Sequence, residues 1–406
     1  MTDVTTIHYD PFAPAVQADP YPFYASLRRD TPLYRVESLD AYAVSRHADV
    51  RRVMHDHGAF SSAAMAELVS RPVEIGREGG VFDEPTEGSI SIVGLDGDDH
   101  MRLRTIVNRG FTPRRISRLE QQMRAIARPL VDAVCAAGTA DLMGGLAVPF
   151  PTTVIAEMLG VDPDRRDDFR RWSEQMVLAV FEPTTAEQRQ EIARSGEQMG
   201  EYFDEVVAAR TGTQGNDLVS VLLRAELEGG ALTRQELSVF VFTLLVAGSI
   251  TTAYLIGNAL MTLATCPALL MAVRDEPQLV GAVVEETLRH EAPVQLMFRT
   301  ATTDVDLAGT LLPKGTTVLA LLGSANRDER VFSDPDRFDI RRNSTEHLSF
   351  GHGVHHCLGA ALARLEARVA LEELLARTAC LEPAGAMERV TSLVFRGPTE
   401  LSLRLA

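Results

Sequence analysis

The stretch Phe350-Gly351-His352-Gly353-Val354-His355-His356-Cys357-Leu358-Gly359 places one cysteine in a glycine-lined turn. A segment whose apolar residues recur at helical spacing, 358–377, follows at once. A helix N-terminus carries partial positive charge and amide N–H groups without a partner. A cysteine held there therefore ionises more readily and becomes a better metal ligand. The glycines remove side chains where a flat, bulky group could approach the backbone. The stretch therefore predicts a thiolate presented to a ligand.

The same residues have two other interpretations. A lone buried cysteine is commonly an inert, small hydrophobic residue. The stretch could also bind zinc through His352, His355, His356 and Cys357. However, structural zinc sites usually draw spaced pairs of ligands from two segments, and the sequence shows no second pair. The rest of the chain decides among these three interpretations.

Composition limits the class of protein. The chain has 406 residues, of which 45% are hydrophobic, so it can bury a large core. Its four cysteines form no C-x-x-C pair, which favours reduced thiols in an intracellular protein. The net charge of −16 argues against a nucleic-acid partner. The first residues have neither the basic nor the apolar region of a signal peptide, so we expect a cytoplasmic protein.

One segment requires a membrane test. Residues 237–273 contain no charged side chain, and the run is long enough to span a bilayer. Polar side chains interrupt its middle, a proline lies near its end, and charged amphipathic segments flank it. No second span and no aromatic belt accompany it. We therefore favour the central core helix of a soluble protein over a membrane helix.

Helical periodicity dominates the remaining sequence. Helices are predicted over 116–136, 163–181, 185–210, 234–266, 277–290 and 358–379. Strands are predicted at Ala41–Val44, at Thr317–Leu322 and around 401–405, and Leu312-Pro313-Lys314-Gly315 predicts a hairpin turn. Neither a repeat nor a linker is evident. We expect one mainly α domain with a small β part over residues 1–406.

The cysteine stretch resembles the haem-binding loop of the cytochrome P450 family. The resemblance implies the P450 fold, with haem between a long central helix and the helix of the cysteine loop. It also implies that Cys357 is the proximal ligand of haem b iron, and that Phe350, Gly351 and Gly359 contact the cofactor. Two further motifs match: Glu286-Thr287-Leu288-Arg289 resembles E-x-x-R, and Pro335-Asp336-Arg337-Phe338 resembles P-x-R-F. They imply a buried structural network of Glu286, Arg289 and Arg337.

The uncharged segment contains Ala247-Gly248-Ser249-Ile250-Thr251-Thr252, which resembles the family's oxygen-binding groove, A-G-x-[D/E]-T-T. The resemblance implies that Ala247 contacts haem, that Gly248 makes room for dioxygen, and that Thr251, with Thr252, serves proton delivery. Ile250 replaces the acid of the motif and can neither carry a proton nor order water. Protons must then travel through water and Thr251, another side chain, or a polar group of the substrate.

Haem propionates are anionic and require cationic donors. His100 and Arg104 match an H-x-x-x-R pair, whose spacing places both on one face of a helix. By the same resemblance, Arg299 and His355 are further donors. Each residue alone is more often a surface residue. Together with the cysteine loop, the four form one consistent set.

Six arginines and no acid occur between Met101 and Leu119. Most charge runs are solvated helix faces. The resemblance implies instead a docking face for a ferredoxin, which a ferredoxin reductase would supply with electrons from NAD(P)H. The expected docking residues are Arg102, Arg109, Arg114, Arg115 and Arg118.

The resemblance implies a monooxygenase that uses dioxygen. By position, the expected pocket walls include Val93, Val246, Leu296 and Val394, which favours a hydrophobic small-molecule substrate. Two alternatives remain open. Ile250 motivates a haem-thiolate enzyme of another type, such as an NADH-dependent nitric oxide reductase. The other alternative is a haem sensor or carrier without turnover, which would need no arginine-rich docking face.

Overall fold

The computed structural model describes residues 8–65, 91–181, 185–211, 215, 217–224, 232–342 and 344–406. Helices dominate this part of the chain, as the sequence predicts. The α-helices are α1 (Pro14–Ala18), α2 (Tyr21–Asp30), α3 (His47–His55), α4 (Gly97–Asn108), α5 (Pro113–Arg118), α6 (Glu120–Ala137), α7 (Pro149–Leu159), α8 (Arg166–Phe181), α9 (Ala186–Arg210), α10 (Leu218–Leu223), α11 (Arg234–Thr265), α12 (Pro267–Asp275), α13 (Val280–His290), α14 (Leu322–Ala325) and α15 (Ala360–Leu375).

The strands form three small sheets within the described residues. They are β1 (Leu33–Val36), β2 (Ala41–Val44), β3 (Phe60–Ser61), β4 (Thr139–Asp141), β5 (Met297–Ala301), β6 (Val305–Leu307), β7 (Thr310–Leu312), β8 (Thr317–Ala320), β9 (Leu381–Arg389) and β10 (Pro398–Leu405). The largest sheet has the order β1-β2-β8-β5-β3, with β2 and β8 parallel and the other pairs antiparallel. The order β4-β10-β9 makes a second sheet, and β6 pairs with β7.

The predicted helices are confirmed, with local differences at their ends. The predicted helix 116–136 is two helices, because α5 ends at Arg118 and α6 begins at Glu120. A 3₁₀ turn, Pro277–Leu279, precedes α13, and α15 begins only after the cysteine turn. The hairpin at Leu312–Gly315 is wrong. The strands on either side belong to different sheets, since β7 pairs with β6 while β8 pairs with β2 and β5.

The long uncharged segment forms α11, which packs against α7, α13 and α15. Its start is fixed by a capping box, in which the Glu236 N–H donates to the Thr233 hydroxyl and the Thr233 N–H donates to the Glu236 carboxylate. By length and composition, Glu236–Thr265 could cross a membrane. Apolar side chains around α11, such as Leu245 and Leu260, are nevertheless fully buried in the main core. The prediction of a core helix is therefore confirmed.

A buried ion pair connects α13 to the chain that leads to the cysteine turn. Arg289 donates to both carboxylate oxygens of Glu286, at 2.7 and 2.9 Å, and neither side chain is more than 1% exposed. The Arg289 guanidinium also donates to the carbonyl groups of Asn326, Pro335 and Arg337. Burial raises the pKa of Glu286, but hydrogen bonds from Arg289 and Ser344 outweigh it and lower that pKa overall. The pair is thus charged and fully bonded.

The predicted third member of this network is wrong. The Arg337 side chain is 65% exposed and pairs with Asp339, so only its carbonyl group joins the network. Arg342 takes its place with a side chain that is 11% exposed and donates to Glu286 at 3.3 Å. It also donates to the carbonyl groups of Ser333 and Asp334. The P-x-R-F spacing does not distinguish two arginines that lie five residues apart on an irregular segment.

We expect Arg342→Ala to lower the free energy of unfolding by about 1–3 kcal/mol, because it removes several hydrogen bonds at a buried carboxylate. Arg337→Ala is the matched control and should change it by less than about 0.5 kcal/mol, as for an ordinary surface position. Urea unfolding of both variants measures the difference. Equal destabilisation by the two variants would contradict the assignment of Arg342.

Candidate functional site

The cysteine turn is held by its own backbone and by α3. The Cys357 N–H donates to the Phe350 carbonyl group at 2.8 Å. Gly351 and Gly353 have φ values of 71° and 76°, which side-chain-bearing residues rarely adopt. A Cβ at Gly353 would lie 3.1 Å from the Cα of His55, so this glycine also allows the turn to pack on α3. Gly359 is the glycine beside the sulfur, since a Cβ there would lie 4.0 Å from Cys357 Sγ.

The Cys357 side chain is exposed, yet protein surrounds it closely enough to alter its ionisation. Burial raises the pKa of the thiol, while the Gly359 N–H and the guanidinium groups of Arg104 and Arg364 act in the opposite direction. An exposed residue can still have its sulfur surrounded by protein if that sulfur lies in a recess that opens to the surface. A metal ion bound at this sulfur would remove the proton and convert the thiol to the ligand form.

The turn does not bring its histidines and cysteine together as a metal cluster. Across the described ranges, no three His, Cys, Asp or Glu side chains converge in the manner of a metal site. The His352 ring lies against the His55 ring, with centroids 5.3 Å apart, while the His355 ring faces His100. The zinc interpretation is therefore not supported, and Cys357 is left as a single ligand.

His100 and His355 lie together, as their predicted shared role requires. Their ring centroids are 4.0 Å apart. Burial lowers the pKa of His100, and it lowers that of His355 to about 4, which favours the neutral ring with one N–H donor in each residue. His100 Nε2 is buried and has no hydrogen-bond partner among the described residues. A buried ring nitrogen of this kind requires a partner that the polypeptide does not supply.

Arg299 on β5 is a buried cation that forms no salt bridge with the described residues. It is 2% exposed, and within the described part of the chain its guanidinium donates one hydrogen bond, to the carbonyl group of Phe298 at 2.8 Å. Burial lowers its pKa to about 10, and Asp96 opposes this effect. A buried charge without a paired ion is costly, so an anionic group beside Arg299 would be stabilised. With His100 and His355, this residue fits the carboxylates of a haem.

Arg104 faces the cysteine turn. Its Nη2 donates to the His356 carbonyl group at 2.5 Å, and the Cys357 thiolate form would stabilise its charge. Sequence reasoning missed Asp96, which accepts hydrogen bonds from the Ser61 hydroxyl at 2.5 Å and the Ser62 N–H at 2.9 Å. Asp96 also lies 3.4 Å from His355 Nε2. Its position directly before α4 is typical of helix-capping residues and was the available signal.

The predicted oxygen groove lies on α11. The Thr251 hydroxyl donates to the Ala247 carbonyl group at 2.7 Å, and the Ala247 side chain is exposed. A Cβ at Gly248 would lie 3.0 Å from Ile155 Cδ1, so this glycine lets α7 approach α11. The contact with α7 is enough to explain a glycine at this position, and the predicted room for dioxygen at Gly248 stays a prediction. Ile250 points into the core, and Thr252 is buried on the side of α11 that faces α15.

Three of the predicted pocket residues share one cluster. Leu296 and Val394 are buried in it and Val93 packs against it, while Val246 packs against the main core. The Gln295 N–H donates to the Val394 carbonyl group at 2.7 Å, which ties two of these segments together. Their role as substrate contacts stays a prediction.

The arginine-rich segment does not present all its charges freely. Arg102 forms an ion pair with Glu236 of α11, and Arg115 is half-buried. Arg109, Arg114 and Arg118 are exposed. Arg102 and Arg115 are thus partly engaged within the protein, and the docking face for a ferredoxin stays a prediction.

Known proteins resemble the chain over nearly its whole length. A family model described as Cytochrome P450 matches residues 168–392. The chain is 37% identical over 402 residues to cytochrome P450 107B1 of Saccharopolyspora erythraea, which covers 97% of this chain and 96% of that protein. Erythromycin C-12 hydroxylase of the same organism is 39% identical over 355 residues, with 87% and 85% covered. The structure of CYP109Q5 from Chondromyces apiculatus matches with a TM-score of 0.85 at 42% identity, covering 98% of both chains.

Cys357→Ala should abolish the red-shifted carbon monoxide difference band of the haem-loaded, reduced protein, because only a thiolate ligand gives that band. Alanine at Cys135, Cys266 or Cys380 is the matched control and should leave the band unchanged. Absorption spectroscopy of the four variants, with haem content measured separately, makes the comparison. A red-shifted band that survives in Cys357→Ala would contradict the assignment.

Proposed function

This chain belongs to the cytochrome P450 family of haem-dependent monooxygenases, and we propose that it oxidises a hydrophobic small molecule with electrons from a ferredoxin. Membership makes it an oxidoreductase that uses dioxygen. We further propose that the cofactor is haem b, that NAD(P)H is the indirect source of electrons, and that the protein acts in the cytoplasm. The observation that best supports the proposal is the buried Arg299, which forms no salt bridge with the described residues and contributes, after burial, to the lowered pKa of His355.

The described residues would hold the cofactor from two sides. Cys357 would bind the iron, while Arg299, His100 and His355 would bind the propionates. When bound, haem supplies the activation of dioxygen, and a thiolate ligand favours cleavage of the O–O bond. The polypeptide contributes position and charge, because every one of these donors is fixed by a strand, a helix or the glycine turn.

We expect α11 to line the cofactor site on the side opposite the cysteine turn. The exposed Ala247 side chain would lie against the cofactor, and the Thr251 hydroxyl would meet the reacting oxygen from the same turn. In the present arrangement this hydroxyl donates to the Ala247 carbonyl group, so its lone pairs are free to accept a hydrogen bond. A water bound there could pass its proton into the groove. Ile250 cannot supply that water with a proton, since its side chain is apolar and buried.

We infer an apolar substrate from the aliphatic side chains of Val93, Leu296 and Val394, which share one cluster. One relative is named as an erythromycin C-12 hydroxylase, which supports the hydroxylation of an organic small molecule by this chain too. A screen of apolar ligands on the haem-loaded protein should reveal compounds that shift the haem from low to high spin. We expect Leu296→Asp to weaken such binding by roughly tenfold or more, since it buries a charge in an apolar cluster. An unchanged affinity would remove Leu296 from the pocket.

The exposed Arg109, Arg114 and Arg118 support a ferredoxin as the electron donor, because they contrast in sign with a chain of net charge −16. Replacing all three with alanine should raise the ferredoxin concentration for half-maximal turnover by about tenfold at low salt, with a smaller effect at high salt. Arg29→Ala is the control, since Arg29 is exposed on another helix. Steady-state turnover at two ionic strengths tests this. An equal effect of the control would contradict the docking face.

Ile250 is the observation that favours a second candidate, the reduction of nitric oxide with NADH. That reaction would proceed with NADH alone and without ferredoxin. Turnover that strictly requires both ferredoxin and dioxygen excludes it. A haem sensor without turnover is less well supported, because the exposed arginines serve no purpose in a sensor.

A further inference from the structure

Glu291, which directly follows α13, is a carboxylate shared by three arginines. Its oxygens lie 3.0 Å from Arg396 Nε, 3.1 Å from Arg327 Nη2 and 3.4 Å from Arg389 Nη1. The Glu291 side chain is 12% exposed. Burial raises its pKa, but the three guanidinium groups outweigh burial and lower that pKa overall. Glu291 is therefore a largely buried anion at the centre of a cationic cluster.

The three arginines come from separate parts of the chain. Arg327 follows α14, Arg389 ends β9, and Arg396 belongs to residues 390–397, the β9–β10 loop. The Arg396 guanidinium also donates to the carbonyl groups of the last two residues of α1, at 3.2 Å. Glu291 thus holds one side of a guanidinium whose other side holds the N-terminal helix. A planar guanidinium suits this double role because its N–H groups point in fixed directions.

The ring of Tyr21 on α2 limits where two of these guanidinium groups can lie. The central carbon of Arg327 is 3.4 Å from the ring centroid, and that of Arg396 is 5.4 Å from it. A cation over an aromatic face is attracted more strongly when both groups are shielded from water. The Tyr21 side of the cluster is buried in this way, since Tyr21 is 8% exposed and Arg396 is 7% exposed. The position of Arg396 is therefore fixed by contacts on several sides.

The β9–β10 loop carries Val394, and it is hydrogen-bonded to the segment that carries Leu296. The Arg396 N–H donates to the Pro293 carbonyl group at 2.9 Å, and the Gln295 N–H donates to the Val394 carbonyl group at 2.7 Å. Val394 and Leu296 are buried in one apolar cluster. These two residues are predicted pocket walls, and Arg396 lies two residues from the first of them. A displacement of the Arg396 side chain would therefore reach both.

The cluster is also attached to α11 through Asn258. The Asn258 amide donates to the carbonyl groups of Glu291 and Arg396, both at 3.0 Å. Its side-chain oxygen accepts a hydrogen bond from Arg389 at 3.2 Å. Asn258 follows Thr251 by about two helical turns on the same helix. The loop and the predicted oxygen groove are therefore fixed to one rigid element.

We propose that Glu291 and Arg396 are positioning residues, which set the places of Val394 and Leu296 and thereby the substrates that the pocket accepts. The inference rests on the proposed function, because it concerns the pocket of that same site. Neither residue needs to touch the substrate. Their effect passes through the backbone hydrogen bonds of the β9–β10 loop, and small displacements of supporting groups of this kind alter the geometry of a binding site.

Two ligands of the haem-loaded ferric protein separate the pocket walls from the cofactor. Imidazole and 4-phenylimidazole both bind haem iron through a ring nitrogen, and only the phenyl group of the second reaches for an apolar wall. Arg396→Lys keeps the charge but loses the planar set of donors. It should raise the dissociation constant of 4-phenylimidazole by about tenfold, since a displaced wall loses its contacts with the phenyl ring, and change that of imidazole by less than about twofold. Absorption spectroscopy measures both.

Glu291→Asp should have the same selective effect, because the shorter carboxylate cannot keep its contacts with all three arginines, and it also serves if Arg396→Lys does not fold. Arg124→Lys is the matched control. Arg124 pairs with Glu120, Glu372 and Glu373, away from the predicted pocket walls, so its variant should leave both constants unchanged. Urea unfolding of the three variants shows how far each is destabilised. A purely structural role predicts destabilisation without selective weakening of 4-phenylimidazole.

Three results would overturn the proposal: unchanged constants in the variants at 291 and 396, equal weakening of both ligands, or the same selective effect in Arg124→Lys. A wild type that binds the two ligands equally well would also overturn it, because no apolar wall would then contact the phenyl ring. Ligand binding needs neither electrons nor dioxygen. A wild type that prefers 4-phenylimidazole but forms no product with a ferredoxin would instead refute the proposed function.

Discussion

The buried ion pair of Glu286 and Arg289 controls how the chain arrives at the cysteine turn. Arg289 donates hydrogen bonds to three carbonyl groups of the irregular segment after α14. Glu286 accepts a hydrogen bond from the hydroxyl of Ser344, which lies in the same segment. Asn326 fixes the same segment closer to the cysteine turn, because its side chain accepts a hydrogen bond from the Leu348 N–H and donates one to the Ser349 hydroxyl. The turn that carries Cys357 begins directly after these residues. Without the pair, a segment that has no regular structure of its own would lose its fixed route, and breaking such a pair costs about 3–5 kcal/mol.

The site is built from groups that are incompletely satisfied within the protein. Among the described residues, buried His100 has a ring nitrogen without a hydrogen-bond partner, and buried Arg299 forms no salt bridge. Each would be a defect in a purely structural core. Both groups can donate a hydrogen bond, and both are predicted to bind the anionic edge of a cofactor. Stability is thus given up at positions where the proposed cofactor would supply binding energy.

The sequence predicted the parts of the structure that follow from the recurrence of apolar residues and from the spacing of residues within a motif. The helical pattern gave α11 and α15, and the H-x-x-x-R spacing placed His100 and Arg104 on α4. It could not select Arg342 over Arg337, because the direction of a side chain on an irregular segment depends on tertiary contacts. For the same reason, Arg102 could not be recognised as the partner of Glu236. The complete burial of Glu366 on α15 carried no signal either, since a single acid in an amphipathic helix is normally solvent-exposed.

The hydrogen bonds of Asp96 join two points that are distant in sequence, Ser61–Ser62 at the end of β3 and the start of α4. The entropy cost of joining two fixed points of a chain grows only slowly with the number of residues between them. The junction therefore lets the sequence between its two ends vary independently of the residues that follow Asp96. The sequence between the two anchors can diverge in length and composition while His100, which follows Asp96 by one helical turn, keeps its position.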